Sequence, residues 1–376
     1  VVDDNRLPRI FDELVKSSDY TKRRAEIAAF NAANTHVKRG LALTPVKFGI
    51  SFTTSFLNQA GAFIVMYADG SLQLNHGGTE MGQGLHTKML AICAHELGLT
   101  ADRIRVMNTA TDKVPNTSAT AASSGSDLNG QAVKQACEII RERLRPIAAR
   151  LLGVPSESAK DILFAGGRVF LASRPELALP FEKVTGEAYL AQISMSATGY
   201  YRTPDITYDK AAGRGKPFHY FAYGACVAEV ELSGLTGEHR MRRIDILHDV
   251  GSSLVPTIDR GQIEGGFIQG VGWLTSEELR FDDKGYLRTH SPDTYKIPAF
   301  GDAPLEFNVA LLENAAQDNV IHGSKAVGEP PLMLGLAVVA ALRDAVTGFG
   351  VKGREVKLPM PCTPEALLFA VEAQKA

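Results

Sequence analysis

The sequence predicts an α+β fold in two lobes of mixed β-sheets and helices, from three observations. Strand-like and helix-like segments are interspersed without the regular alternation of a parallel βαβ sheet. The 376 residues exceed one ordinary domain of roughly 100–200 residues. The stretch Tyr201–Pro217, with its prolines, glycines and charges, reads as a surface excursion or as the joint between lobes. We therefore divide the chain into a helical lead-in over 1–44, a first lobe over 45–215 and a second over 216–376.

In the lead-in, Leu14, Ala25, Ile27, Ala28 and Phe30 recur among charged residues, a pattern for two short helices ending near Gly40. Val46–Thr54 reads as a strand. Ala62–Tyr67 and Leu72–Leu74 flank Asp69-Gly70, a hairpin signal. Leu85, Met89, Ile92, Cys93 and Leu97 fall at helical spacing, with Gly98 as the stop. A long helix follows the Thr109–Asn129 loop. Its stripe runs from Val133 to Leu151, and Pro146 is expected to bend it. Residues 153–215 are loop-rich, with a strand at Arg168–Leu171. Cys226–Leu232 and Met241–His248 are strands around Leu235-Thr236-Gly237. Thr257–Leu274 is helical despite several glycines, which are tolerated where something packs close to the backbone. Leu305–Leu312 is a strand, Pro331–Phe349 an apolar helix, and Thr363-Pro364-Glu365 opens a last helix.

Hydrophobic residues make up 45% and charged residues 22%, as in a globular protein. Forty basic and 42 acidic side chains give a net charge of -2, which argues against a nucleic-acid partner. The apolar run Pro330–Leu342 is too short for a bilayer span of about 20 residues, so no membrane is expected. The four cysteines are scattered with no CxxC pair, which argues against an iron–sulfur site here and fits a reducing cytoplasm. The chain starts Val1-Val2-Asp3-Asp4 and reads as a piece of something longer.

Several motifs are false friends. Gly348-x-Gly350-x-x-Gly353 follows a helix instead of a strand, the reverse of a dinucleotide site. His95-Glu96 is not HExxH, because residue 99 is Leu, and His76, His86 and His95 read as ordinary core or surface histidines; no protein metal ligands are expected. Three stretches are more informative. In Gly78-Thr79-Glu80-Met81-Gly82-Gln83-Gly84 the glycines admit a ligand to the backbone, Gln83 suits a heterocycle edge, and the helix from Leu85 would offer N–H groups to an anion. A glycine-rich turn with no ligand is an equal reading. Asn116–Ser126 is dense in small hydroxyl side chains and could wrap a phosphate or a polar ring, or be a surface loop. Glu329, before Pro330-Pro331 and an apolar helix, is a candidate base: burial would raise its pKa while Lys325 and the helix end would lower it. It is equally readable as a capping acid.

Together these motifs form an ordered set: His76–Met89, Asn116-Thr117-Ser118 with Thr120-Ala121-Ala122-Ser123, and Lys325-Ala326-Val327-Gly328-Glu329-Pro330-Pro331. The set resembles the molybdenum-cofactor-binding region of the molybdenum hydroxylases, C-terminal part. Phe48–Thr53, Leu57–Ala62 and Tyr295–Phe300 make it most similar to the xanthine dehydrogenase family within them. The resemblance covers at least residues 45–350.

The resemblance implies the molybdenum-hydroxylase cofactor-binding fold, with both lobes contributing to a molybdenum–pyranopterin site in its Mo=S form. The metal is then held by the pterin dithiolene and not by side chains. Glu329 matches the glutamate that takes the proton from Mo–OH before the oxygen attacks a ring carbon and hydride passes to the sulfido group. Gln83 and Gln262 match residues hydrogen-bonded to the pterin or its phosphate; Met81, Gly82, Thr120, Ala121, Ala122 and Ser123 match its lining. Phe52 and Thr53 match substrate positions, one on the purine ring and one on a ring oxygen. The implied reaction hydroxylates hypoxanthine and xanthine to urate, with electrons leaving through 2Fe-2S clusters and FAD on partner segments to NAD. The iron–sulfur region, the flavin region and the preceding half of the molybdenum-binding portion find no match in this chain. They are expected as partners in a dimer of multi-component protomers. The rivals are another molybdenum hydroxylase, acting on aldehydes or a different N-heterocycle, and a non-catalytic scaffold.

Overall fold

The computed structural model describes residues 4–114, 116–351 and 353–375; the first three residues of the lead-in lie outside them. Helices α1 (Leu7–Ser17) and α2 (Tyr20–Ala33) open the chain. They stop well before Gly40, because β1 (Val37–Ile50) already begins at Val37 and runs through that glycine. Gly40 suits the place: a Cβ there would lie 1.9 Å from the Ala341 carbonyl oxygen.

Strands β2 (Gln59–Met66) and β3 (Leu72–His76) form the expected hairpin, with Gly70 in the left-handed region at φ 81°. Helix α3 (Leu85–Leu97) ends at Gly98, as its spacing predicts. A short β4 (Ile104–Val106) runs parallel to β3. Helix α4 (Gly125–Leu152) continues past Pro146. The single strand read at Arg168–Leu171 is the middle of three: β5 (Ile162–Ala165), β6 (Arg168–Leu171) and β7 (Arg174–Pro180). Helix α5 (Phe181–Leu190) and β8 (Ser196–Arg202) follow, and β8 returns to pair with β2. The stretch after it is a surface excursion, an exposed hairpin of β9 (Thr207–Asp209) and β10 (Arg214–Lys216). Then come β11 (Tyr220–Ser233), β12 (His239–His248), α6 (Pro256–Thr275), β13 (Glu306–Leu311), α7 (Leu336–Thr347) and α8 (Pro364–Lys375).

Two four-stranded sheets organise these elements, ordered β4-β3-β2-β8 and β1-β11-β12-β13. The first lobe packs α3 and α4 on its sheet around Ile64, Leu74, Met89, Ile92, Val133 and Ile140. In the second lobe β11 is apolar almost throughout because both its faces are covered. Tyr223, Ala225 and Val227 meet Ile10, Leu14 and Ile27 of α1 and α2 on one face. Cys226, Ala228 and Val230 meet Ile263 and Phe267 of α6 and Val338 and Leu342 of α7 on the other. The division expected at residue 45 therefore moves. Antiparallel pairing of β1 with β11 runs from Val37–Ser233 to Ile50–Tyr220, so the lead-in and β1 both belong to the second lobe.

By length and composition Pro330–Thr347 reaches what a membrane span needs, further than the shorter run read from the sequence. In the fold it is split into a 3-10 turn, Pro330–Gly335, and α7, whose buried side lies on β1 and β11. That turn explains part of the glycine content of α6. A Cβ on Gly270 would meet the Leu332 carbonyl oxygen at 2.1 Å, and one on Gly266 would meet Pro331 at 3.1 Å. Gly261 and Gly265 face open space, so close packing does not account for them.

Gly270→Ala should destabilise the protein by about 1–3 kcal/mol through overpacking against Leu332, read as a lower denaturant midpoint. An unchanged midpoint would mean that the Pro330–Gly335 turn shifts away at no cost.

Candidate functional site

The lobes meet around a cavity of about 370 Å³ whose lining includes Met81, Gln83, Thr120, Ala121, Ser123, Gln262 and Glu329. Met81 and Gln83 come from the β3–α3 loop, and Thr120, Ala121 and Ser123 from the loop before α4. Gln262 comes from α6, and Glu329 directly precedes the Pro330–Gly335 turn. Gly82 is exposed on the first loop and is not part of this lining. A second cavity of about 550 Å³ is lined by Lys47, Phe48, Gly49, Ser51, Ala122, Phe218, Phe221 and Glu329. Glu329 thus borders both. A larger cavity, about 750 Å³, lies in the second lobe around Glu231, His239 and Lys296 and shares no residue with either.

The β3–α3 loop is held by Glu80. Its Oε1 accepts from the Gly82 and Gly84 N–H groups at 2.9 and 3.0 Å, and its Oε2 accepts from His86 N–H at 2.9 Å. Burial raises the Glu80 pKa, but the backbone donors outweigh it and hold the carboxyl below its ordinary value. The amides of Gly84 and His86 at the start of α3 are therefore taken internally, and the expected anion site at that helix end is filled by Glu80. The Gln83 amide accepts from Met81 N–H at 2.5 Å and donates to Thr79 O at 2.8 Å. Beneath the loop, His76 Nδ1 accepts from Gly78 N–H at 3.2 Å, which leaves its Nε2 as donor to His86 Nδ1 at 3.0 Å. Burial, then the neighbouring His86, lower the His76 pKa to about 4, so this ring is neutral at physiological pH.

In the second loop Ala122 and Ser123 are both left-handed at φ 53°, a conformation that costs non-glycine residues about 1–3 kcal/mol each. The turn aims Ser123 at Glu329. Its Oγ accepts from Glu329 N–H at 2.8 Å and donates to Glu329 Oε2 at 3.0 Å. One layer behind, the Tyr220 hydroxyl donates to Asp127 Oδ2 at 2.6 Å and accepts from Ala326 N–H at 2.7 Å. Buried Tyr220 thereby ties α4 to the loop that carries Glu329.

Three expectations about Glu329 change. Its side chain is exposed and not buried. Lys325 points elsewhere: its buried Nζ donates to Asp249 Oδ2 at 2.6 Å and Phe221 O at 3.0 Å. Nor does an α-helix begin directly after Glu329, since α7 starts only at Leu336. Phe52 is half-buried and Thr53 exposed. Neither lines the two cavities that share Glu329, although both follow Ser51, which lines the second.

Motif reasoning misses Lys88, which lines the first cavity and pairs with buried Asp259 of α6 at 2.5 Å. The signal is there in the sequence: a lysine beside Met89 in the otherwise apolar stripe of α3. It also assigns no role at the site to Asp127 and Tyr220, which stand behind the lining.

The family model for the molybdopterin cofactor-binding domain matches residues 13–304. The chain is 46% identical over 367 residues to the xanthine dehydrogenase/oxidase of Mus musculus, covering 96% of this chain and 26% of that protein. It is 45% identical over 346 residues to the xanthine dehydrogenase of Dictyostelium discoideum, covering 91% and 24%. Among solved structures, quinoline 2-oxidoreductase from Pseudomonas putida 86 superposes with a TM-score of 0.83 at 26% identity, over 97% of this chain and 46% of that one. The chain thus spans about a quarter of the length of the curated relatives it matches.

Burial raises the Asp127 carboxyl to about pH 7, against the smaller opposing effects of the Tyr220 hydroxyl and Lys88. Between its ordinary value and about 7 the folded form holds a proton that the unfolded form has released, so Asp127 makes stability fall as pH rises through that window. Asp127→Asn keeps an acceptor for Tyr220 and removes the effect. Its stability relative to wild type should rise between pH 4 and 7, by up to about 4 kcal/mol, in denaturant titrations at several pH values. A stability difference independent of pH would contradict the burial argument.

Proposed function

We propose that this chain, which belongs to the molybdopterin cofactor-binding domain family, supplies the base and much of the cofactor site of a xanthine-oxidising molybdenum hydroxylase. The observation that carries this reading is the place of Glu329 on the shared wall of two cavities, one amide- and hydroxyl-lined and one aromatic. The sequence relatives favour xanthine as substrate: they are 46% and 45% identical, against 26% for the quinoline enzyme. That enzyme supports a different N-heterocycle as the second reading.

The first cavity fits a molybdenum–pyranopterin. Its lining includes the Gln83 and Gln262 amides, the Thr120 and Ser126 hydroxyls and the Lys88 ammonium. The Gln262 amide has no protein hydrogen-bond partner among the described residues and is free to meet a heterocycle edge. When bound, the cofactor supplies the redox centre and the point of delivery for the water-derived oxygen.

The chain's own residues do the rest. Glu329 takes up a proton at Oε1, the oxygen that Ser123 leaves free, while the Ser123 hydrogen bonds fix the other oxygen and the backbone. Gln83, held in its loop, and Gln262 orient the cofactor; Met81, Gly82, Thr120, Ala121 and Ala122 shape the walls around it. The purine lies at the edge of the aromatic cavity next to Ser51, where Phe52 would meet its ring face and Thr53 would hydrogen-bond a ring oxygen. That contact would discriminate against rings lacking the oxygen. The facing half of the pocket, the 2Fe-2S clusters, FAD and the NAD site come from other parts of a larger cytoplasmic enzyme, a dimer of such protomers.

In the complete enzyme, Glu329→Gln should lower xanthine turnover to urate by about 10²–10⁴-fold with molybdenum content unchanged. Near-normal turnover would overturn Glu329 as the base. Full molybdenum with no urate formation by the wild type would instead move the substrate to another heterocycle or an aldehyde. Ser123→Ala, which removes a charge-assisted hydrogen bond worth about 1.5–3 kcal/mol, should lower turnover by roughly 10–100-fold in the same assay.

A further inference from the structure

We propose that His95, Glu96 and His322 form a binding site for a divalent transition-metal ion, with zinc the best match. Their ligand atoms all lie within 4.8 Å of one another. His95 and Glu96 come from the last turn of α3, and His322 from the Ile321–Gly323 turn far along the chain. Local spacing gives His95 no metal partner; the residue that completes the group is not local.

The geometry is built for a ligand beyond the mere closeness of three side chains. The Glu96 side chain is only 6% exposed. Arg141 Nη1 donates to Glu96 Oε2 at 3.1 Å and to Glu96 O at 2.9 Å, an outer contact of the kind that orients metal-bound carboxylates. Oε1 is left aimed at His322 Nε2, 3.4 Å away. That Nε2 is itself buried and makes no hydrogen bond. His322 also sits in the left-handed region at φ 47°, where histidine is among the few side chains found with any frequency. The His95 and His322 rings meet edge to face with centroids 4.5 Å apart. His95 is exposed, so the fourth position would open to water.

Two imidazoles and a carboxylate suit zinc and its neighbours better than calcium or magnesium, which prefer all-oxygen shells. The three residues line neither cavity that shares Glu329. The ion would pin the turn that leads into Ser324–Glu329 onto α3, joining the two lobes on the side away from the cofactor.

The test uses the complete holoenzyme, freed of loosely bound ions and titrated with zinc alone. Zinc and molybdenum are counted per chain, and X-ray absorption at the zinc edge reports the ligand set. The wild type should bind one zinc that a His95→Ala/His322→Asn double variant does not, with affinity reduced at least about 100-fold in the variant. Asparagine keeps the left-handed turn possible. His95→Ala alone, at an exposed side chain, should weaken binding at least about 10-fold with molybdenum content unchanged. His290→Ala, an exposed histidine elsewhere, should retain the ion. No zinc on the wild type at micromolar ion, or equal binding by wild type and His95→Ala, would overturn the site.

Discussion

Everything at the candidate site depends on the grip of the Ser123 hydroxyl on Glu329. One oxygen accepts from the Glu329 backbone and donates to its carboxylate, so a single side chain from the first lobe fixes both position and rotamer of a residue from the second. This requires Ala122 and Ser123 to sit in a conformation that their side chains disfavour. The surrounding structure must hold them there. The Tyr220 bridge between Asp127 and Ala326 N–H joins α4 to the Glu329 loop from behind, and the site is accordingly a property of the junction and of neither lobe alone.

The charged support reaches further than the loops. Arg6, just ahead of α1, donates to Asp249 at 3.1 Å, and Asp249 in turn holds Lys325 at 2.6 Å. The chain of contacts runs from the lead-in through the second sheet to the segment that ends in Glu329. Arg6 and Lys325 compensate the buried Asp249 charge, which would otherwise cost several kcal/mol. On the other wall, Lys88 of α3 meets Asp259 of α6, whose second oxygen accepts from Ser253. Lys325 reads from the sequence as an electrostatic tuner of Glu329; the structure makes it an anchor.

Local patterns make much of this legible without the fold. The glycine-rich loop, the period of α3 with its Gly98 stop, and the continuous apolar run of β11 each depend on neighbours in sequence. Nearly all the residues named for the cofactor line the first cavity or the one that adjoins it. What stays hidden is non-local. The charged Lys38-Arg39-Gly40 reads as a helix end because its partner, Val230–Leu232, lies about half the chain away. β7 is largely exposed and shows no alternation, so it resembles loop. Glu80 looks like part of a ligand loop because its role as an internal cap emerges only once the backbone folds back on it. Phe52 and Thr53 line neither cavity, which their local pattern does not reveal.

Whether this junction holds molybdenum against Glu329 is tested most directly by diffraction from the complete holoenzyme, with data collected on both sides of the molybdenum absorption edge. One strong anomalous peak per protomer is expected at the cavities bordered by Gln83, Gln262 and Glu329. A molybdenum peak elsewhere, with these residues facing solvent or another ligand, would contradict the assignment.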